Sequence, residues 1–167
     1  MKQGIKKLGD DGKESVLVEL QQLYDQKVMS PADKYDLTAK ERKGALRYLL
    51  FLKEKRCGRI KGRGCADGRK QWIYKTKEEA SAPTVATESL MLSCVIDAKE
   101  RRTVVTADIP GAFMQADMDE LVHMKLQGKM AELLVILEPK LYQKYVQVEK
   151  GKQVVYVELK KALYTWS

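Results

Sequence analysis

The sequence is poor in the residues that build metal and disulfide frameworks. Its 167 residues hold only three cysteines (Cys57, Cys65 and Cys94) and one histidine, His123. So few thiols, odd in number and with a single imidazole, exclude a recognisable zinc site. Reduced thiols in an intracellular protein, cytoplasmic or nuclear, are the expected state. No apolar run reaches the about eighteen residues that a membrane-spanning helix needs, so no membrane partner is expected. The opening Met1-Lys2-Gln3-Gly4-Ile5-Lys6-Lys7 has no apolar segment behind it, and no signal peptide is expected. Internal repeats and low-complexity tracts are also missing. What the chain does have is 44% hydrophobic residues, enough for a core of its own, and a net charge of +8 that favours polyanions.

Taken in order, residues 1–12 are polar and expected to fray. Val16, Leu20, Leu23, Tyr24 and Val28 fall at helical spacing, which predicts an amphipathic helix over 13–28, stopped by Met29-Ser30-Pro31. Thr38 and Glu41 form a capping-box pattern, and Ala45, Leu46, Leu49, Leu50 and Leu52 behind it predict a second helix ending near Arg56. Pro83-Thr84 opens a further expected helix, capped by Thr84 or Thr87, with Leu90, Met91, Cys94 and Val95 as its buried stripe. Asp97–Arg102 reads as its solvated end. Val122–Leu126 alternates as a strand, with His123 turned to solvent. Residues 130–137 and 139–145 suggest two short helices, and Val154–Leu159 is the strongest strand pattern in the chain.

Charge is concentrated in residues 53–70. Lys53, Lys55, Arg56, Arg59, Lys61, Arg63, Arg69 and Lys70 stand against Glu54 and Asp67, which puts +6 of the chain's +8 into this segment. A short strand over 59–63 would place Arg59, Lys61 and Arg63 on one face. Ala66-Asp67-Gly68 reads as a hairpin turn with Gln71–Tyr74 as its return strand. Such a hairpin can lay its cations against phosphates. A plain solvated surface or a nuclear-import signal would have the same composition.

A second stretch invites chemistry. Thr103-Val104-Val105-Thr106-Ala107 predicts a buried strand that delivers Asp108 at its carboxyl end, and Pro110-Gly111 forces a turn before Phe113. On its own, such an aspartate can equally be a turn-former bonded to its own backbone.

Both stretches resemble parts of one family. Asp108-Ile109-Pro110-Gly111-Ala112-Phe113, continued through Asp117, Asp119 and Glu120 to Met124, is similar to the first catalytic motif, Asp-x-x-x-Ala-Phe, of copia-type LTR-retrotransposon reverse transcriptases. Lys61-Gly62-Arg63-Gly64-Cys65-Ala66-Asp67-Gly68-Arg69-Lys70-Gln71 resembles the same enzymes' Lys-Ala-Arg-Leu-Val-Ala-Lys-Gly-x-x-Gln segment, with Gly64-Cys65 in place of Leu-Val. Leu159-Lys160-Lys161-Ala162-Leu163-Tyr164 is similar to their Leu-Lys-Lys-Ser-Leu-Tyr-Gly, with Thr165 where glycine is expected.

The resemblance implies an α+β fold: the fingers and partial palm of a right-hand polymerase, cut before the catalytic Asp-Asp hairpin. Residues 1–56 would be a loosely matched helical segment, 57–102 fingers-like, and 103–167 the partial palm. It implies RNA-directed DNA synthesis on an RNA template and DNA primer from deoxynucleoside triphosphates, alongside other retrotransposon polyprotein domains. Two Mg²⁺ ions would serve the reaction, with Asp108 as catalytic ligand and the Ile109 carbonyl as a second donor. Lys61 and Arg63 would neutralise the triphosphate, and Phe113 would crowd out a 2′-hydroxyl. Asp117, Asp119 and Glu120 would be surface residues. The family's Tyr-x-Asp-Asp motif does not occur in these 167 residues. The expectation is therefore a fragment without polymerase activity of its own. A basic nucleic-acid-binding remnant, or a remnant without function that folds poorly, are the other readings.

Overall fold

A computed structural model describes residues 2–69, 85–109, 111–163 and 165–166, and the side chains among them apart from those of 2–8 and 165–166. The expected return strand Gln71–Tyr74, the Pro83-Thr84 helix entry, and Pro110 and Tyr164 lie outside the described residues. The chain divides into two compact units, one of residues 1–70 and 111–167 and one of 71–110. The protein is α+β, as expected.

The larger unit is built on a seven-stranded sheet with helices. Helix α1 (Lys2–Asp25) runs longer than its apolar pattern foretold and is kinked at Gly9. The expected stripe is correct: Val16, Leu20 and Leu23 are buried. The chain then turns through Lys27, whose φ is 54°, into strand β1 (Met29–Ala32). Met29-Ser30-Pro31 therefore opens a strand where the sequence reading had only a stop. Pro31 is tolerated because β1 lies at the edge of the sheet, paired to one neighbour only.

Helix α2 (Ala39–Gly44) carries the predicted capping box. The Thr38 hydroxyl accepts from the Glu41 amide, and the Glu41 carboxylate accepts from the Thr38 amide at 2.7 Å. The expected helix beyond it is wrong. Ala45 leaves helical geometry, and Leu46–Glu54 is strand β2. A run as dense in leucine as this satisfies helical and strand spacing together. The alternation decides: Leu46, Tyr48 and Leu50 are buried while Arg47 and Phe51 are exposed. Strand β3 (Ile60–Asp67) returns antiparallel to it.

Strand β4 (Asp117–Gln127) lies parallel to β2 and antiparallel to β6 (Lys152–Lys161). Its register shifts between Asp117 and Val122, and Asp119 and Glu120 sit exposed on that irregular half. His123 is half-buried opposite Glu158 rather than turned to solvent. Helices α4 (Lys129–Leu137) and α5 (Pro139–Tyr142) then follow as predicted. Strand β5 (Gln147–Glu149) joins β6 in a tight hairpin, and β7 (Thr165–Trp166) pairs parallel to the end of β3.

Strand β6 shows why its sequence reads as an unbroken apolar run. Val155, Val157 and Leu159 enter the main core with α1, α4 and Tyr142, while Val154 and Tyr156 face a second cluster with Leu37 and Ala45. Both faces of the strand are covered, so alternation disappears.

The smaller unit contributes helix α3 (Thr87–Lys99), capped by Ala86 without a side-chain bond. The expected buried stripe is not buried: Leu90, Met91 and Val95 are 56–64% exposed, and Cys94 is exposed. Apolar residues occur on consecutive positions here, so they form no single stripe. Arg102 folds back on Asp97 and Glu100 at the solvated end, as predicted. The expected buried strand 103–107 is also overturned. Residues 103–109 carry no regular secondary structure, and Val104 and Val105 are 62% and 82% exposed. Strand propensity expresses the fit to a packed pleated surface, and no described strand pairs with this stretch.

Candidate nucleic-acid interface

The strongest arrangement of functional side chains lies on the β2–β3 hairpin. Its turn is not the expected Ala66-Asp67-Gly68; those first two residues are inside β3. The chain reverses at Arg56-Cys57-Gly58, closed by the Lys55 amide donating to the Arg59 carbonyl at 2.8 Å. The Gly58 amide donates to the Lys55 carbonyl at 2.9 Å, and Gly58 has φ 78°. This is a three-residue hairpin loop whose last position needs the left-handed region, which glycine enters without cost.

The register turns scattered bases into a ladder. Lys53 stands opposite Lys61, Phe51 opposite Arg63 and Leu49 opposite Cys65. Directly opposed residues of an antiparallel pair share a sheet face. One face therefore presents Lys55 with Arg59 at the tip, then Lys53 with Lys61, then Arg63 beside the exposed Phe51 ring. All five of these bases are exposed. Glu54, paired with Ile60, belongs to the opposite face. Farther along, Asp67 accepts from Arg69 Nε at 2.8 Å and from Arg47 Nη2 at 3.3 Å. The Arg69 hydrogen bond, reinforced by the charges of Arg69 and Arg47, holds the Asp67 carboxyl down to about 2. Charge on this face is thus compensated within the hairpin at the Asp67 end but not at the tip, where the nearby acids among the described residues are Asp11, Glu14 and Glu19 of α1, which line a groove with Arg59 and Lys61. At the tip Cys57 is exposed, and its hydrogen bond with Arg59 lowers the thiol from its ordinary value.

The glycines of β3 make sense from the other face. A Cβ on Gly62 would lie 3.0 Å from the Ser15 carbonyl oxygen of α1, and one on Gly64 would overlap the Tyr48 hydroxyl. The Gly64 amide donates to Glu19 Oε1 of α1 at 2.7 Å, which satisfies a strand-edge donor. Gly62 and Gly64 therefore form a flat bed for the helix and the buried Tyr48 ring, and this packing holds Lys61 and Arg63 outward.

The other candidate residues are separated by the division of the chain. Phe113 belongs to the larger unit, on a short 3₁₀ turn (Ala112–Gln115), 47% exposed beside the buried Met114. Gly111 precedes it in the left-handed region, φ 64°, with Met114 Cε only 2.9 Å from where a Cβ would be, so the expected turn needs glycine here. Asp108 and Ile109 belong to the smaller unit, both exposed. Among the described residues no group of three or more His, Cys, Asp or Glu could hold a metal ion. One carboxylate and one carbonyl fall short of the oxygen set that near-octahedral Mg²⁺ requires. These residues do not by themselves fit a two-ion centre.

Sequence reasoning found Lys61 and Arg63 but missed Lys53 and Lys55 as their partners. The signal was present in the period-two alternation of Leu46, Tyr48, Leu50 and Leu52, hidden by the apolar Leu49 and Phe51 between them. Among the described residues no helix is long and apolar enough to cross a membrane. No protein-family model, curated protein or solved structure matches the chain.

Proposed function

We propose that this chain is a nucleic-acid-binding fragment of a reverse-transcriptase-like protein of a retrotransposon, corresponding to the fingers and the opening of the palm. The observation that carries the binding half is the β2–β3 face, where Lys53, Lys61 and Arg63 project together with no acidic residue in register with them. Cations aligned on one face of a strand pair, next to an aromatic ring, suit a phosphate backbone with accessible bases. The polymerase half rests on the Asp108–Phe113 and Lys61–Gln71 resemblances and on the α+β class. In a complete enzyme Asp108 would be an ion ligand, Lys61 and Arg63 would face the triphosphate, and Phe113 the sugar; RNA template, DNA primer and Mg²⁺ would come with that assignment. With no Tyr-x-Asp-Asp motif among them, these 167 residues are expected to bind without catalysing.

Two measurements test this. Primer extension by the purified chain should not exceed that of an Asp108→Ala control; extension above the control contradicts the assignment. Binding of a labelled single-stranded oligonucleotide at low salt should weaken by about tenfold or more in the Lys61→Ala/Arg63→Ala double variant, as expected when two phosphate contacts are lost. Unchanged affinity removes the hairpin from the interface.

A further inference from the structure

The hairpin's cations do more than offer an attractive surface. Like charges placed directly opposite on one face of an antiparallel pair destabilise that pair. Here this happens on successive same-face rungs: Lys55 with Arg59 at the closing bond, then Lys53 with Lys61. Same-face neighbours along a strand are about 6.8 Å apart, within the roughly 8 Å screening length of physiological salt. Arg63 adds a fifth cation on the next rung. Within the hairpin, Glu54 faces the other way and Asp67, at the far end, is already engaged by Arg47 and Arg69. From α1, Asp11, Glu14 and Glu19 line the groove shared with Arg59, Lys61 and Gly62, and Glu19 is taken by the Gly64 amide, which leaves Lys53 and Lys55 outside that groove. Little apolar contact offsets this at the tip, where residues 53–59 are all exposed. By contrast, the root of the hairpin is anchored: Tyr48, Leu50 and Ala66 are buried in the main core. A firmly held base and a tip of like charges make the outer rungs the least supported part of the strand pair.

We propose that the outer β2–β3 hairpin is an anion-dependent element, its Lys53–Lys61 and Lys55–Arg59 rungs closing when an oligophosphate chain seats across them. This rests on the nucleic-acid reading above, and it adds Lys53, Lys55 and Arg59 to the site together with a linkage between occupancy and folding. A bound chain contributes through its interaction with the closed form, so whatever binds the closed rungs more tightly must also stabilise them. The linkage has an unusual signature. Salt weakens the binding of a polyanion to these cations, yet in the free protein it screens their repulsion and tightens the hairpin.

Amide hydrogen exchange across residues 46–67, referenced to β6, tests the linkage in the full chain. Binding is followed in parallel by anisotropy of the same labelled oligonucleotide, an oligo-dT ten-mer. Saturating oligo-dT should slow exchange at Lys53, Lys61 and Arg63 by about tenfold, the change expected if it binds the closed form that much more tightly. Raising NaCl without ligand should slow the same amides. Tripolyphosphate, at equal phosphate concentration, separates the sources: protection by oligo-dT alone assigns a nucleic-acid backbone, and equal protection by tripolyphosphate assigns any oligophosphate. The Lys53→Glu variant should exchange more slowly at the tip without ligand, because it replaces a repelling rung by an attracting one. Binding without added protection, or faster tip exchange in Lys53→Glu, overturns the linkage and leaves the nucleic-acid reading standing. No binding of either anion at low salt overturns both.

Discussion

Ile60–Asp67 and Thr103–Ile109 invert each other. The first, Ile-Lys-Gly-Arg-Gly-Cys-Ala-Asp, is a poor strand by composition, with two glycines and two exposed cations, yet it is a regular strand of the main sheet. The second carries the best β-branched run before the carboxyl-terminal third, yet it pairs with no described strand. The glycines of β3 are what let α1 and Tyr48 approach closely, so the features that weaken the isolated strand create its tertiary support. Thr103–Ala107 has propensity and no such support. Partners decide a strand, and propensity only makes it eligible.

Substitutions in the packed and the exposed regions should therefore differ in cost. Leu20→Ala, in the α1 stripe that packs the main core, should cost about 2–5 kcal/mol in urea denaturation, because it removes buried methyl groups and leaves a cavity. Val105→Ala, in the exposed stretch, should stay within about 0.5 kcal/mol. Equal costs at the two positions would mean that 103–107 is buried after all. Gly64→Ala comes next, at about 1–3 kcal/mol, because the new methyl group must displace the Tyr48 hydroxyl. A neutral or stabilising result would refute the account of why β3 is glycine-rich. Thr38→Ala should cost about 1 kcal/mol through loss of the α2 capping box.

The Asp67 network supplies a pH test of the same hairpin. Its folded carboxyl is held at about 2 against an ordinary 3.8, so its contribution is complete above the ordinary value. It should be lost as pH falls from about 4 toward 2, where the unfolded chain binds the proton first. Wild type and Asp67→Asn should therefore differ in urea midpoint at pH 6 and converge at low pH. A difference that persists to pH 2 would place the effect elsewhere than in the Arg47 and Arg69 interactions.

Much of the larger unit was legible in the sequence. The stripe Val16–Leu20–Leu23, the Thr38–Glu41 box, the two short helices after Gly128 and the Val154–Leu159 strand each follow one local rule that tertiary structure respects. The errors arose where two rules competed. Leucines at 46, 49, 50 and 52 fit both periods, and the helix-to-strand change at Ala45 is set by pairing with β3 and β4, which no window reveals. Ala66-Asp67-Gly68 looks like a turn, yet Ala66 is held in register by Tyr48 and Thr165. For the candidate site, alternation gave the Arg59–Lys61–Arg63 face, whereas the opposing Lys53 and Lys55 required the register. The grouping of Asp108 with Lys61, Arg63 and Phe113 came from resemblance alone, and the chain places Asp108 in a different unit from the other three.

If the β2–β3 ladder engages a phosphate backbone, binding of a single-stranded oligonucleotide must depend on salt through those cations. Each phosphate contact contributes about 0.7 to the slope of log K against log salt for a single strand. The wild-type chain should show a steep decline with salt, and Lys53→Ala/Lys61→Ala should be shallower by about 1.4, two contacts' worth. A flat wild-type response, or identical slopes for the two proteins, would contradict the assignment of the hairpin as the interface.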